Sequence, residues 1–226
     1  RTPLFGSGEQ RSSGWGVHFT PMGHVVTVTA AGRVYLVDRA SGRTLATYDI
    51  PSELGFVPPE TFGAALDPSA LLPESVQGDI RTVWGTKSDD EQADGFSAFL
   101  GSGEFVDNTI AVSERGDIYV IGGGPTPQNG ALVQIRVRGI ANNPTLELGW
   151  YAVTDRGSAT TPSVNQGDQY VAIGDGAHPS TYLNAGPTDA HLKVFDIPAC
   201  DENRDADSDP RICAVDWQHS LQRGSL

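Results

Sequence analysis

The sequence has few basic residues and no long apolar segment. Lys and Arg together number 15 against 28 Asp and Glu, so the formal net charge is −13, and Lys87 and Lys193 are the only lysines. This balance excludes the basic surface that nucleic-acid binding needs, and it disfavours binding to an anionic membrane. No apolar run reaches the roughly 18 residues of a membrane-spanning helix, so no membrane span is expected.

Cysteine is also scarce, because Cys200 and Cys213 are the only two and they flank an acidic loop. A disulfide closing this loop would contribute about 2–3 kcal/mol by restricting the unfolded chain, and it would suit an exported protein. Two buried free thiols are the alternative. We therefore expect a periplasmic or extracellular location. The opening RTPLFGSGEQ has no signal-peptide pattern and is expected to be a processed or truncated end.

Glycine and proline are abundant, at 27 and 15 residues, which favours many turns and few long helices. A short unit of strand, glycine turn and second strand occurs at 25–37, 110–120 and 160–173. Its period-two alternation predicts antiparallel hairpins. We expect the tyrosine three residues after each turn glycine to pack between sheets. These glycines and tyrosines are Gly32, Gly116 and Gly167, and Tyr35, Tyr119 and Tyr170.

The repeats extend into larger units at approximately 15–51, 105–154 and 157–221, with a long insertion or irregular blade at 52–104. Four-stranded sheets that repeat at this spacing bury their faces by stacking around an axis. The predicted fold is an all-β β-propeller of four-stranded antiparallel blades, a β-sandwich being the alternative. Residues 1–226 would form about half of a seven- or eight-bladed ring. The remainder of the propeller, on a second chain or in a missing segment, is the expected partner.

Two segments resemble known propeller families. VYLVDRASGRTLATYDI at 34–50 resembles the blade repeat of the pyrroloquinoline-quinone-like superfamily, in which such a turn docks one blade on the next; Leu45 stands where that family often has tryptophan. DNTIAVSERGDIYV at 107–120 is similar to the inner-strand motif of gluconolactonase-like propellers. The adjacent-cysteine ring of the quinone enzymes is absent from the sequence, so no quinone is expected. The resemblance implies a propeller fold more than an activity.

Polar residues open the predicted inner strands, where a propeller has its usual ligand face. Arg156 offers a bidentate fork for an anionic group, although it and Asp155 could equally form a structural polar network. The ligand-binding candidates are His18, Asp107, Asn108, Asp155, Arg156, Thr160, Thr161 and His178.

The cofactor hypothesis is a calcium ion. The lactonase resemblance implies that Asn108 helps to hold a divalent metal, and oxygen ligands suit Ca²⁺. The alternative is that Asn108 caps a turn through its own backbone. Asp205, Asp207 and Asp209 alternate as in calcium loops, but Pro210 stands where such loops need glycine, so a solvated acidic loop is the alternative.

Two functional hypotheses follow. The first is an exported propeller that binds a small ligand at the mouth of its channel. One version of this hypothesis is a metal-dependent hydrolase of esters or lactones, because a bound metal can polarise a carbonyl and activate water. The second is a non-catalytic propeller that acts as a scaffold for a protein or a polymer. The residues alone do not establish an enzyme.

Overall fold

The computed structural model contains three antiparallel sheets, each of four strands joined in sequential order. It describes residues 14–58, 105–106, 108–140, 143–154, 160–175, 190–202, 212–214 and 216–221. Sheet 1 comprises β1 (Gly14–Phe19), β2 (Val25–Thr29), β3 (Arg33–Val37) and β4 (Thr44–Asp49). Sheet 2 comprises β5 (Ala111–Val112), β6 (Ile118–Gly123), β7 (Gly130–Ile140) and β8 (Asn143–Thr154). Sheet 3 comprises β9 (Ser163–Val164), β10 (Tyr170–Asp175), β11 (Ala190–Asp196) and β12 (Trp217–Leu221).

Sheet 2 lies between the other two and buries both of its faces. Alternate residues of β6 point in opposite directions, as a strand requires. Val120 packs in a core shared with Val26 and Val28 of sheet 1. Tyr119 packs in a second core with Phe195 of sheet 3. The first strands β1, β5 and β9 are neighbours across the stack, and the last strands β4 and β8 also touch.

This arrangement is a stack of propeller-type blades in which successive meanders pack face to face with their first strands along one edge. The predicted all-β class and the four-stranded antiparallel blades are confirmed. The number of blades in a complete ring stays a prediction. Most of the segment predicted as an insertion, from residue 59 to 104, lies outside the described residues. Among the described residues, no helix is long and apolar enough to cross a membrane.

The repeated hairpin occurs in all three sheets, but in sheet 1 it lies one strand later in the strand order. The turns at Gly116 and Gly167 join the first two strands of their sheets, whereas the turn at Gly32 joins the second and third strands of sheet 1. Each of the three glycines has a positive φ, of 83° at Gly32, 92° at Gly116 and 82° at Gly167. A shared turn geometry therefore explains the sequence match at Gly32 and Gly116, because glycine adopts this conformation without strain, whereas the turn at Gly167 is one residue longer.

Two matching segments end in the same way. LATYDIP and LKVFDIP each end a strand in an aspartate that caps a short helix, α1 (Ile50–Leu54) or α2 (Ile197–Glu202). Asp49 accepts from the Ser52 backbone N–H at 3.1 Å, and Asp196 accepts from that of Ala199 at 2.8 Å. The first strand is the fourth of sheet 1 and the second is the third of sheet 3, which is the same offset of one strand.

The tyrosine prediction holds at one position of the three. Tyr119 is fully buried between sheets 2 and 3, as expected. Tyr35 is also buried and pairs with Thr27, but it lies on the face of β3 opposite to the face that packs on sheet 2. The expectation is wrong for Tyr170, which is 43% exposed. Val171 and Ile173 pack on sheet 2, so Tyr170 lies on the opposite face of β10. No described sheet covers that face, which explains the exposure of Tyr170.

The predicted disulfide joins Cys200 of α2 to Cys213. Both cysteines are buried in the core between sheets 2 and 3, and the Cys213 N–H donates to the Tyr151 carbonyl of β8 at 2.7 Å. The bridge therefore fixes α2 against sheet 2 as well as closing its own loop.

Replacing both Cys200 and Cys213 with Ser is expected to lower the free energy of unfolding by about 2–3 kcal/mol, because the unfolded chain regains the entropy of a short loop. Urea denaturation of the oxidised protein and of the double variant, followed by tryptophan fluorescence, measures the difference. Wild-type protein under reducing conditions is the control and should match the variant. An unchanged midpoint in both would contradict the expectation.

Candidate functional site

Three of the predicted ligand residues lie in one hydrogen-bonded row along the first-strand edge of the stack. His18 belongs to β1, Asn108 precedes β5 and Thr161 precedes β9. A fourth residue, Thr109, completes the row and was not predicted. We call His18, Asn108, Thr109 and Thr161 the inner row. All four side chains are half-buried.

The inner row connects sheet 1 to sheet 2 through an imidazole and a hydroxyl. His18 Nε2 lies 2.9 Å from Thr109 Oγ1. Gly16 makes this approach possible: its φ is +60°, and a Cβ at this position would overlap Thr109 Oγ1. The register of β1 against β2 shifts between Trp15 and His18, an irregularity of the kind that re-aims side chains in strands.

The row continues from sheet 2 to sheet 3 through Asn108. Its side-chain oxygen accepts a hydrogen bond from the Thr109 backbone N–H at 2.8 Å and another from Thr161 Oγ1 at 3.0 Å. The first contact is the local capping that we considered as the alternative to metal binding. The second spans 53 residues and ties neighbouring first strands together.

Thr160 lies next to the row but bonds elsewhere. Its hydroxyl donates to the Gly174 carbonyl at 3.1 Å and accepts from the Gly174 N–H at 3.0 Å. Thr160 therefore supports the start of sheet 3 by continuing the pairing toward the end of β10. A side chain at Gly174 would meet the Thr160 methyl group, so Thr160 would have to shift to admit it.

The inner row carries no formal charge when His18 is neutral. Burial lowers the pKa of His18 from its ordinary value of 6.5, because a desolvated imidazolium is disfavoured. The row therefore offers an imidazole, two hydroxyls and an amide, which together suit a neutral polar ligand.

His18 should make stability depend on pH. The pKa of His18 is lower in the folded chain than in the unfolded chain. At pH values between these two pKa values the unfolded chain binds more protons, so the free energy of unfolding decreases as the pH falls. Replacing His18 with Gln should reduce the loss of unfolding free energy between about pH 7 and about pH 5.5. Urea denaturation across this range measures both slopes. Equal slopes for the two proteins would contradict this assignment.

The described residues do not fit a metal centre at Asn108. Both hydrogen bonds to its side-chain oxygen occupy the lone pairs that a cation would need. Among the described ranges, no group of three or more His, Cys, Asp or Glu side chains could hold a metal ion. The remaining predicted site residues lie outside the described residues and stay predictions: Asp107, Asp155, Arg156, His178, Asp205, Asp207 and Asp209.

A buried ion pair in sheet 3 was also missed by the sequence analysis. Lys193 Nζ of β11 lies 2.5 Å from Asp175 Oδ2 at the end of β10, and the two side chains are only 3% and 1% exposed. Lys193 shares its strand face with the fully buried Phe195. The signal was available, because Lys193 is one of two lysines and alternates with Leu192 and Val194 in an apolar strand.

A second polar cluster fastens α2 to sheet 2. Asp201 Oδ1 accepts from Arg136 at 2.7 Å, from Trp150 Nε1 at 3.2 Å and from Gln134 Nε2 at 3.3 Å. Arg115 lies 3.4 Å from the other Asp201 oxygen. This cluster is placed between sheets rather than at the first-strand edge, so its role is in holding sheet 3 to sheet 2.

The turn at Gly116 is fixed to sheet 3 by Asp168. This carboxylate accepts the backbone N–H groups of Glu114 at 2.9 Å and Arg115 at 2.7 Å. Asp168 is buried and has a φ of 52°, an uncommon conformation outside glycine. No local sequence pattern indicates this contact, because Asp168 lies more than 50 positions after both Glu114 and Arg115.

Comparison with known proteins does not assign the chain to a family. No family model and no curated protein matches the sequence. Solved structures with some likeness include the quinohemoprotein alcohol dehydrogenase of Comamonas testosteroni (16% identity, 92% of this chain and 21% of that one, TM-score 0.42). They also include the Dos1 propeller (10% identity, 83% and 34%, TM-score 0.42) and quinohemoprotein alcohol dehydrogenase ADHIIG of Pseudomonas putida HK5 (14% identity, 89% and 19%, TM-score 0.42). The chain thus spans between about a fifth and a third of the length of these structures.

Proposed function

We propose that this chain is part of an exported β-propeller that binds a small neutral ligand, such as an ester or a lactone, at the mouth of its channel. The observation that supports this is the inner row, in which His18, Asn108, Thr109 and Thr161 of three successive blades join into one half-buried polar strip. Uncharged donors and acceptors recognise such ligands by hydrogen bonds without the desolvation cost of a buried charge. The disulfide supports the export part of the proposal.

A thermal-shift screen tests the binding proposal. The panel contains small esters, lactones and their hydrolysed products. A ligand should raise the melting temperature of the wild-type protein and should act less on Thr161→Val, which keeps the shape but loses the donor to Asn108. Thr145→Val, at an exposed position of β8, is the matched control and should respond like the wild type. A panel without any shift, or equal shifts in Thr161→Val, would overturn the proposal.

The metal-dependent form of this function would rest on residues other than the inner row. Its remaining candidates are the carboxylates of the acidic loop, Asp205, Asp207 and Asp209. Calcium should raise the melting temperature of the wild-type protein and should leave the Asp205→Asn/Asp207→Asn double variant unchanged. Equal melting temperatures for the wild type in calcium and in chelator would remove the calcium hypothesis.

The scaffold function is the second candidate, and an exposed apolar strip favours it. Val17 and Phe19 of β1 are 65% and 59% exposed, and Met22 in the following turn is 49% exposed. Apolar groups left this open often mark a surface that another protein covers. In this version the partner is another protein that covers the strip. Native mass spectrometry of the purified protein should then show a complex that Val17→Ser/Phe19→Ser dissociates, and a monomer in both samples would contradict it.

A further inference from the structure

We propose that Thr109 and His18 form a nucleophile and base pair that cleaves a small carboxylic ester without a metal. The proposal rests on the function proposed above, since it needs an ester bound at the inner row. It goes further in naming the reacting atoms, Thr109 Oγ1 and His18 Nε2, and in assigning chemistry to a threonine that the sequence analysis passed over.

The geometry of the pair suits proton transfer. The 2.9 Å between His18 Nε2 and Thr109 Oγ1 lies within the hydrogen-bond range of an activated hydroxyl and its base. When Nε2 carries no proton, the Thr109 hydroxyl donates to it. Burial favours this neutral imidazole. A base of this kind is therefore ready at neutral pH, and no titration has to precede the reaction.

The surroundings hold Thr109 in place. The Asn108 side chain accepts the Thr109 backbone N–H, which fixes the main chain at the nucleophile. Gly16 places bare backbone opposite the hydroxyl, in a left-handed conformation that other residues adopt with strain. Thr109 is half-buried and precedes β5 at the first-strand edge.

The reaction balances with water as the only co-reactant. Thr109 Oγ1 attacks the ester carbonyl carbon as His18 Nε2 takes the hydroxyl proton. The bond from the carbonyl carbon to the leaving oxygen then breaks, and the imidazolium gives its proton to the departing alcohol. Water then attacks the carbonyl carbon of the acyl-threonine as His18 Nε2 takes one of its protons. The bond from this carbon to Thr109 Oγ1 breaks, the imidazolium gives its proton to Oγ1, and the carboxylic acid leaves.

Steady-state hydrolysis of p-nitrophenyl acetate and butyrate tests the pair. Thr109→Val and His18→Gln should each lower kcat/KM by about a hundredfold or more, since positioned proton transfer contributes at least this much. Thr109→Ser should retain the activity, because it keeps a hydroxyl at the same atom. Thr145→Val is the control for substitution of an exposed threonine. A fluorophosphonate probe should label Thr109 in the wild type and fail to label it in His18→Gln, as read by peptide mass spectrometry.

Each failure has a separate meaning. Wild-type hydrolysis rates in Thr109→Val, or a label on another residue, would overturn the pair. Esters that shift the wild-type melting temperature without being hydrolysed would overturn the pair and leave the proposed binding function standing. Esters that neither bind nor react would overturn both. If Thr109→Val fails to fold by circular dichroism, the Thr109→Ser rate and the site of the label decide.

Discussion

Lys193→Met is expected to lower the free energy of unfolding by about 3–5 kcal/mol, because it leaves the buried Asp175 carboxylate without its cation. The two side chains lie 2.5 Å apart and are almost completely excluded from solvent. A carboxylate that loses its ion-pair partner at this depth has little water to stabilise it. Urea denaturation at neutral pH, followed by tryptophan fluorescence, measures the loss.

A double variant separates the cost of breaking this pair from the value of the pair itself. The register places Lys193 opposite Ile173, as Val133 lies opposite Val120 in sheet 2. Sheet 2 therefore fills the corresponding position with an apolar residue. Lys193→Met combined with Asp175→Val should restore most of the lost stability, because apolar replacement of a buried pair is often neutral.

An exposed ion pair provides the control for Lys193→Met. Arg138 and Glu147 lie 2.6 Å apart, with about half of each side chain exposed. Arg138→Met should cost less than about 1 kcal/mol, because water and salt screen exposed pairs. A similar loss in Arg138→Met and Lys193→Met would show that burial is not what makes Lys193 important.

The class of fold could be predicted from local patterns, and the exact register of the sheets could not. Period-two alternation and glycine turns are local signals, so the hairpins around Gly32, Gly116 and Gly167 were identified correctly. The role of each hairpin within its sheet depends on whether one more strand pairs in front of it. That pairing joins β1 to β2 across a bulge, and the sequence match of the repeats contains no information about it.

The candidate site could likewise be predicted from the sequence only in part. His18, Asn108 and Thr161 were predicted as separate openings of inner strands, and the structure brings them into one row. Thr109 was missed because a threonine inside a strand-like segment has an ordinary packing role as its default. Only its distance to His18, 91 positions earlier, distinguishes it. Contacts at such a separation follow from the stacking of blades and have no local pattern.

Asp201→Ala is expected to lower the free energy of unfolding by about 3 kcal/mol, since it leaves the donors of Trp150, Gln134 and Arg136 without their shared acceptor. For a chain of this length, the melting temperature should fall by roughly 6–12 °C. Asp201→Asn should lose less, because the amide oxygen still accepts. Glu202→Ala, at the exposed neighbouring position, should leave the midpoint nearly unchanged. Equal effects of the substitutions at Asp201 and Glu202 would contradict the role of the cluster.

The Asp201 cluster and the disulfide should act together, because both attach α2 to sheet 2. Asp201 follows Cys200 directly, and the bonded Cys213 donates to Tyr151 of β8, the strand that also contains Trp150. Once the disulfide is removed, α2 is held less firmly and the Asp201 contacts become easier to lose. Asp201→Ala should therefore cost less in the Cys200→Ser/Cys213→Ser background than in the wild type, by about 0.5 kcal/mol or more. A double-mutant cycle in urea measures this coupling, and strictly additive losses would show that the two attachments work independently.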